Sequence, residues 1–151
     1  MKFHHIVAAV DGSLHSRKAV DCAAELARAN RAKLTIVHVV LPVFKPYSRR
    51  ELRDPARLGN SDWAEYQRLE KFGKSIIAAA TKRASKRQVQ QIEALVEFGD
   101  PVENILRVAQ DRKAGLIVLG RRGLGSLASV ILGSVSYKIT QASTVPVLIV
   151  P

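Results

Sequence analysis

The sequence predicts an α/β domain: an open, mostly parallel sheet of five strands with helices on both faces. Three observations lead there. Short apolar runs rich in β-branched residues alternate with longer segments of helical periodicity throughout the chain. Its 151 residues suit one domain, spanning 1–151, with a full hydrophobic core. Finally, the apolar run Leu116–Leu119 ends in Gly120-Arg121-Arg122-Gly123, and a Gly133-Ser134 pair further on opens a helix.

Phe3–Val10 is the first buried strand, bounded by Asp11-Gly12-Ser13. Ser13 or Ser16 caps a helix that runs through Asn30, with Ala19, Val20, Ala23, Leu26 and Ala27 as its apolar stripe. Lys33–Val40 is the second strand, closed by Leu41-Pro42. Residues 42–60, with three prolines and Gly59, make a basic connection. Its length in a compact domain suggests a lid, a partner surface or a mobile insert. Ser61 or Asp62 starts a long helix to about Arg87, with Trp63, Tyr66, Leu69, Phe72, Ile76, Ile77 and Ala80 at helical spacing. Gln91–Glu97 is the third strand. Asp100-Pro101-Val102-Glu103 then combines an acidic N-cap, proline at the first helical position and glutamate three residues after the cap. That helix reaches about Lys113 and ends at Gly115. Leu116–Leu119, a helix over Ser134–Ala142 and a last strand over Val147–Val150 complete the pattern.

Strand ends after Val10 and after Leu119 carry an acid and glycines, residues suited to one shared ligand. They meet if strands 1 and 4 are neighbours, where the sheet reverses its winding direction and open α/β folds bind ligands. The simplest order is therefore 3-2-1-4-5, a Rossmann-like arrangement. Glycines let the backbone approach an anion, and the N–H groups and positive dipole end of a helix stabilise its charge. The spacing is not a Walker A loop, because no glycine precedes Lys-Ser or Lys-Thr. Nor is it the dinucleotide fingerprint, because Ala128 stands where Gly123-Leu124-Gly125 would need a third glycine.

Composition bounds the rest. No apolar run approaches the 18 residues of a membrane helix, and the N-terminus lacks a signal-peptide core. One cysteine, Cys22, excludes an internal disulfide; it reads as a small core residue and fits a cytoplasmic setting. The net charge of +11 is uneven: residues 42–90 hold twelve Lys/Arg against five Asp/Glu, a net +7. That region is either a solubilising face or a surface for polyanions such as nucleic acid, although no nucleic-acid motif accompanies it. His4, His5 and His38 are not spaced as a metal site, and His15 reads as a solvated loop residue.

Val10-Asp11-Gly12-Ser13, His38-Val39, Gly99-Asp100-Pro101, the Gly120–Ser134 segment and Pro146–Val150 together resemble the universal stress proteins. The likeness covers nearly the whole chain except residues 42–60. Gly120, Gly123, Gly133 and Ser134 follow the pattern Gly-x2-Gly-x9-Gly-Ser, which in that family marks the ATP-binding branch. The resemblance implies an ATP site with Asp11 at the ribose or at Mg²⁺ (or Mn²⁺), and the backbone of Val39 at the adenine edge. It implies Gly120, Gly123 and Gly133 around the phosphates, with Ser134 supplying a hydroxyl and an N–H, and Val135 and Ser136 continuing the helix start. Arg121 departs from the small hydroxyl residue often found there; it either strengthens anion binding or points into solvent.

The expected role is a cytoplasmic, nucleotide-dependent stress switch or sensor. The resemblance also implies a homodimer through the last strand, with a protein partner that the sequence does not identify. The alternatives are a slow ATPase at the same site, for which no base stands out, and an interaction or nucleic-acid module using residues 42–90.

Overall fold

A computed structural model of the chain describes residues 2–42, 48–52, 54–125 and 131–151. Five parallel strands, β1 (His5–Ala9), β2 (Lys33–Val40), β3 (Ile92–Phe98), β4 (Leu116–Gly120) and β5 (Val147–Val150), form one sheet in the order β3-β2-β1-β4-β5. The order inferred from the acid- and glycine-bearing strand ends is the order observed. Register follows the apolar alternation: Ile6, Val7 and Ala8 lie beside Leu34, Thr35 and Ile36 on one side and Leu116, Ile117 and Val118 on the other.

Successive strand residues face opposite ways, and both faces are covered. Ile6, Ala8, Leu34, Ile36 and Val118 pack beneath α1 (Leu14–Asn30) and α3 (Asn60–Ser85). Val7, Val37, Ile117 and Leu119 pack beneath α4 (Pro101–Asp111) and α5 (Ser134–Ala142). Burial on both faces is why these strands read as continuous apolar runs.

The capping signals act as their residue types require. The Ser13 hydroxyl accepts the Ser16 N–H, and the Asp100 carboxylate accepts the Glu103 N–H at 2.9 Å. α4 ends earlier than Gly115 suggests, because Lys113 itself adopts the left-handed conformation, φ 49°. Gly115 instead donates its N–H to His5 and starts the strand.

The long connection contains a single-turn helix α2 (Arg49–Leu52) and a 3-10 turn at Pro55–Arg57. Its residues 43–47 and 53 lie outside the described residues. Of the expected stripe, Ile77 and Ala80 are buried and share their face of α3 with Gly73 and Ala84, whereas Phe72 is 55% exposed. Gly73 sets that rotation. A Cβ there would lie 2.9 Å from Val96 Cγ1 and 3.1 Å from His38 Cδ2, so only glycine lets the helix approach β2 and β3 so closely. Cys22 is half-buried rather than enclosed, and burial pushes its thiol up. No helix among the described residues is long and apolar enough to cross a membrane.

Candidate functional site

The carboxyl ends of β1 and β4 open into a cleft of about 400 Å³ at the reversal point of the sheet. Asp11, Val39, Gly120, Gly123, Gly133, Ser134, Val135 and Ser136 all line it. The structure thus gathers eight of the nine positions singled out in the sequence. The ninth, Arg121, is not a lining residue; Arg122 takes that place. Arg121 donates its backbone N–H to Val150 at 2.7 Å, which keeps it in line with β5, and its Nε is buried without a hydrogen-bond partner among the described residues.

Asp11 joins the two loops. Its Oδ1 accepts the Ser13 N–H at 2.9 Å, closing the turn after β1, and its Oδ2 accepts the Leu124 N–H at 3.0 Å from the glycine loop. Between them Gly12 sits at φ +86°, a conformation that side chains resist. Ser13 reinforces the junction by donating its hydroxyl to the Arg122 carbonyl at 3.4 Å.

Two glycines are required by contact. A Cβ on Gly120 would lie 2.7 Å from the carbonyl carbon of His15, and one on Gly123 would strike the Asp11 carboxylate. Nothing among the described residues lies within 4 Å of a Cβ on Gly125. His15 is not a loop residue: it stands in the first turn of α1, where its backbone covers Gly120.

The opposite wall is the start of α5. Gly133 is its N-cap, in extended conformation, and offers no side-chain acceptor. Among the described residues, the first N–H groups of α5 therefore have no capping side chain at the point where the helix dipole is positive. The Gly133 N–H itself bonds the Arg121 carbonyl at 2.8 Å, clamping the two ends of the glycine loop together. Ser136 is buried, and its hydroxyl donates to the Gly120 carbonyl at 2.8 Å, so it fixes the loop from behind.

On the β2 side, buried His38 meets the Val10 carbonyl at 2.8 Å through Nδ1. A carbonyl only accepts, so Nδ1 carries the proton. Val39 lines the same wall, and Pro101 and Ile105 of α4 line the cleft beside it. Sequence reading missed Phe72, Pro101, Ile105 and Arg122, which reach the cleft only because α3, α4 and the loop fold back over the strand ends.

The cleft contains one acidic side chain, Asp11, among its lining residues. No group of three potential metal ligands occurs among the described residues. A divalent cation here would thus be held by Asp11 together with ligand oxygens, as Mg²⁺ commonly is with phosphates.

Fold and cleft define an open parallel α/β protein with a two-loop cleft at the reversal point of its sheet. The chain belongs to the universal stress protein family, whose model matches residues 2–151. It is 35% identical to universal stress protein YxiE of Bacillus subtilis, covering 98% of this chain and 99% of the relative. A Thermus aquaticus universal stress protein is 37% identical, with 98% of each covered. A universal stress protein crystallised in complex with cAMP superposes with a TM-score of 0.70 at 29% identity, covering 99% and 98% of the two chains.

Proposed function

We propose that this chain binds an adenine nucleotide, ATP with Mg²⁺, and acts as a nucleotide-dependent switch or sensor. The observation that carries this reading is the pairing of an uncapped helix N-terminus and a contact-enforced glycine loop with Asp11 across one cleft. Phosphates fit the α5 side, where backbone N–H groups and the dipole favour anions. The base fits the apolar β2 side at Val39, and the ribose and cation fit near Asp11. That a universal stress protein of 29% identity was crystallised in complex with cAMP supports a nucleotide as the ligand.

Asp11, Ser13, Leu124 and Arg122 tie the loops to one another, so a ligand that draws the glycine loop inward also pulls on the start of α1. This is the element through which occupancy alters a partner-facing surface. The same reading places the protein in the cytoplasm as a homodimer. Its half-buried apolar edge strand β5, Val147–Val150, offers the pairing surface. The polyanion alternative gains little, because Arg57, Arg68, Lys74, Arg83 and Arg87 are already in ion pairs with acids.

Thermal unfolding with and without millimolar MgATP tests the proposal. At a ligand concentration of 100 times Kd the stabilisation is about 2.7 kcal/mol. For a chain of this size that is a rise of roughly 5–11 °C. An unmoved melting temperature removes nucleotide binding from the account.

A further inference from the structure

A second concavity, of about 860 Å³, lies between α1 and α3 on the opposite side of the Asp11 loop. Its floor is apolar: Val20, Ile76, Ala79 and Ala80 line it, and Phe72 and Leu124 stand at its upper end, 55% and 67% exposed. Its lower end is cationic. Lys82, Arg83, Lys86 and Arg87, from the last turn of α3 and just beyond, line it there. Arg83 pairs with Asp21 and Arg87 with both Asp21 and Glu25, which latch α3 to α1. Lys82 and Lys86 form no ion pair among the described residues, and neither does Arg17 on the facing helix. Cations suit the negative end of a helix dipole, but that end amounts to about half a charge and four are gathered here.

We propose that this groove is a ligand site for a single-chain amphiphile with an anionic head. The polarity of the groove sets the orientation. The head lies at Lys82 and Lys86, and the chain runs up α3 past Ala79 and Ile76 to Phe72 and Leu124. Each end has one lining acid, but Asp21 at the lower end is already engaged by Arg83 and Arg87. A head placed at the upper end would instead face Asp11, which has no ion pair among the described residues. From Phe72 to Lys82–Lys86 the helix rises roughly 15–21 Å, the scale of an extended alkyl chain. The volume lies within the range typical of small-molecule sites, roughly 300–1,000 Å³. Burial of Phe72 and Leu124 supplies affinity, and the unpaired lysines select the charged head over a neutral one. The upper end of the groove shares Asp11, Phe72 and Leu124 with the cleft between β1 and β4, whereas the lysine end that selects the head is separate from it.

Calorimetric titration of the intact chain with monomeric dodecyl phosphate, below its micelle concentration, tests it. Dodecanol and inorganic phosphate serve as the two half-ligands. The expected result is one saturable site per chain, with each half-ligand bound at least about tenfold more weakly. The double substitution Lys82→Ala, Lys86→Ala, at two exposed positions, weakens dodecyl phosphate about tenfold while the ligand-free melting temperature stays put. Absence of saturable binding, equal binding of dodecanol, full affinity in the double variant, or binding seen only with anionic vesicles would each overturn the proposal.

Discussion

Gly120→Ala probes the junction on which the site depends. Gly120 ends β4, and a Cβ placed on it would lie 2.7 Å from the carbonyl carbon of His15 and 2.9 Å from both its oxygen and its Cβ. Two of those atoms are backbone in the first turn of α1, so no rotamer change relieves the contact. Either the helix start moves outward or the strand end twists away. Overpacking of this kind costs about 1–3 kcal/mol. Twisting the strand end also strains the 2.8 Å bond from the Ser136 hydroxyl to the Gly120 carbonyl, worth about 1 kcal/mol. The sum of about 2–4 kcal/mol corresponds to a melting temperature roughly 4–16 °C lower. Gly125→Ala is the control, since nothing among the described residues lies within 4 Å of its added methyl. Scanning calorimetry of the two variants beside the parent decides the matter. If Gly120→Ala melts with Gly125→Ala, the close approach of α1 to the end of β4 is wrong, and with it the two-loop geometry.

The other predictions concern packing, the Asp11 bridge and pH. Gly73→Ala forces α3 off Val96 and His38 and lowers stability by about 1–3 kcal/mol in denaturant unfolding. Asp11→Ala removes the acceptor of the Ser13 and Leu124 amides, costing about 2 kcal/mol and accelerating hydrogen exchange at the Leu124 N–H above all. Burial holds His5, bonded to Thr35, below its ordinary 6.5. Between its folded value and 6.5 the unfolded chain therefore binds more protons, and stability falls as pH drops through that interval; His5→Gln flattens the decline. The Arg112 fork holds Glu93 below its usual 4.5, so a second loss begins below about that pH. It is absent from Glu93→Gln in melting curves taken across the same range.

Elements whose boundaries rest on local chemistry were legible in the sequence. β2, α5 and β5 occupy the expected residues, and the Asp100 and Ser13 caps sit where their side chains can reach an N–H. The sheet order was legible because Asp11 and Gly120 have to meet for either to serve a ligand. What stayed hidden depends on tertiary approach. Whether Arg121 or Arg122 faces the cleft depends on the backbone bond from Arg121 to Val150, which no local pattern encodes. Phe72 fits the helical period of α3 as well as Ile77 does. The small side of Gly73, by letting the helix settle onto β2 and β3, turns Phe72 outward instead. His15 followed a turn signal and lay beside Ser13 and Ser16, either of which can cap; only the Ser13–Ser16 bond shows that the helix had already begun.

The central claim is that the cleft between the Asp11 turn and the glycine loop is the nucleotide site. Isothermal titration of MgATP into the parent, Gly123→Val and Gly125→Val chains tests it most directly. A side chain at Gly123 collides with the Asp11 carboxylate, whereas a Cβ on Gly125 meets nothing among the described residues within 4 Å. The account predicts one site per chain in the parent and in Gly125→Val, and an affinity at least about tenfold lower in a still-folded Gly123→Val. No measurable site in the parent, or equal binding by all three chains, would contradict it.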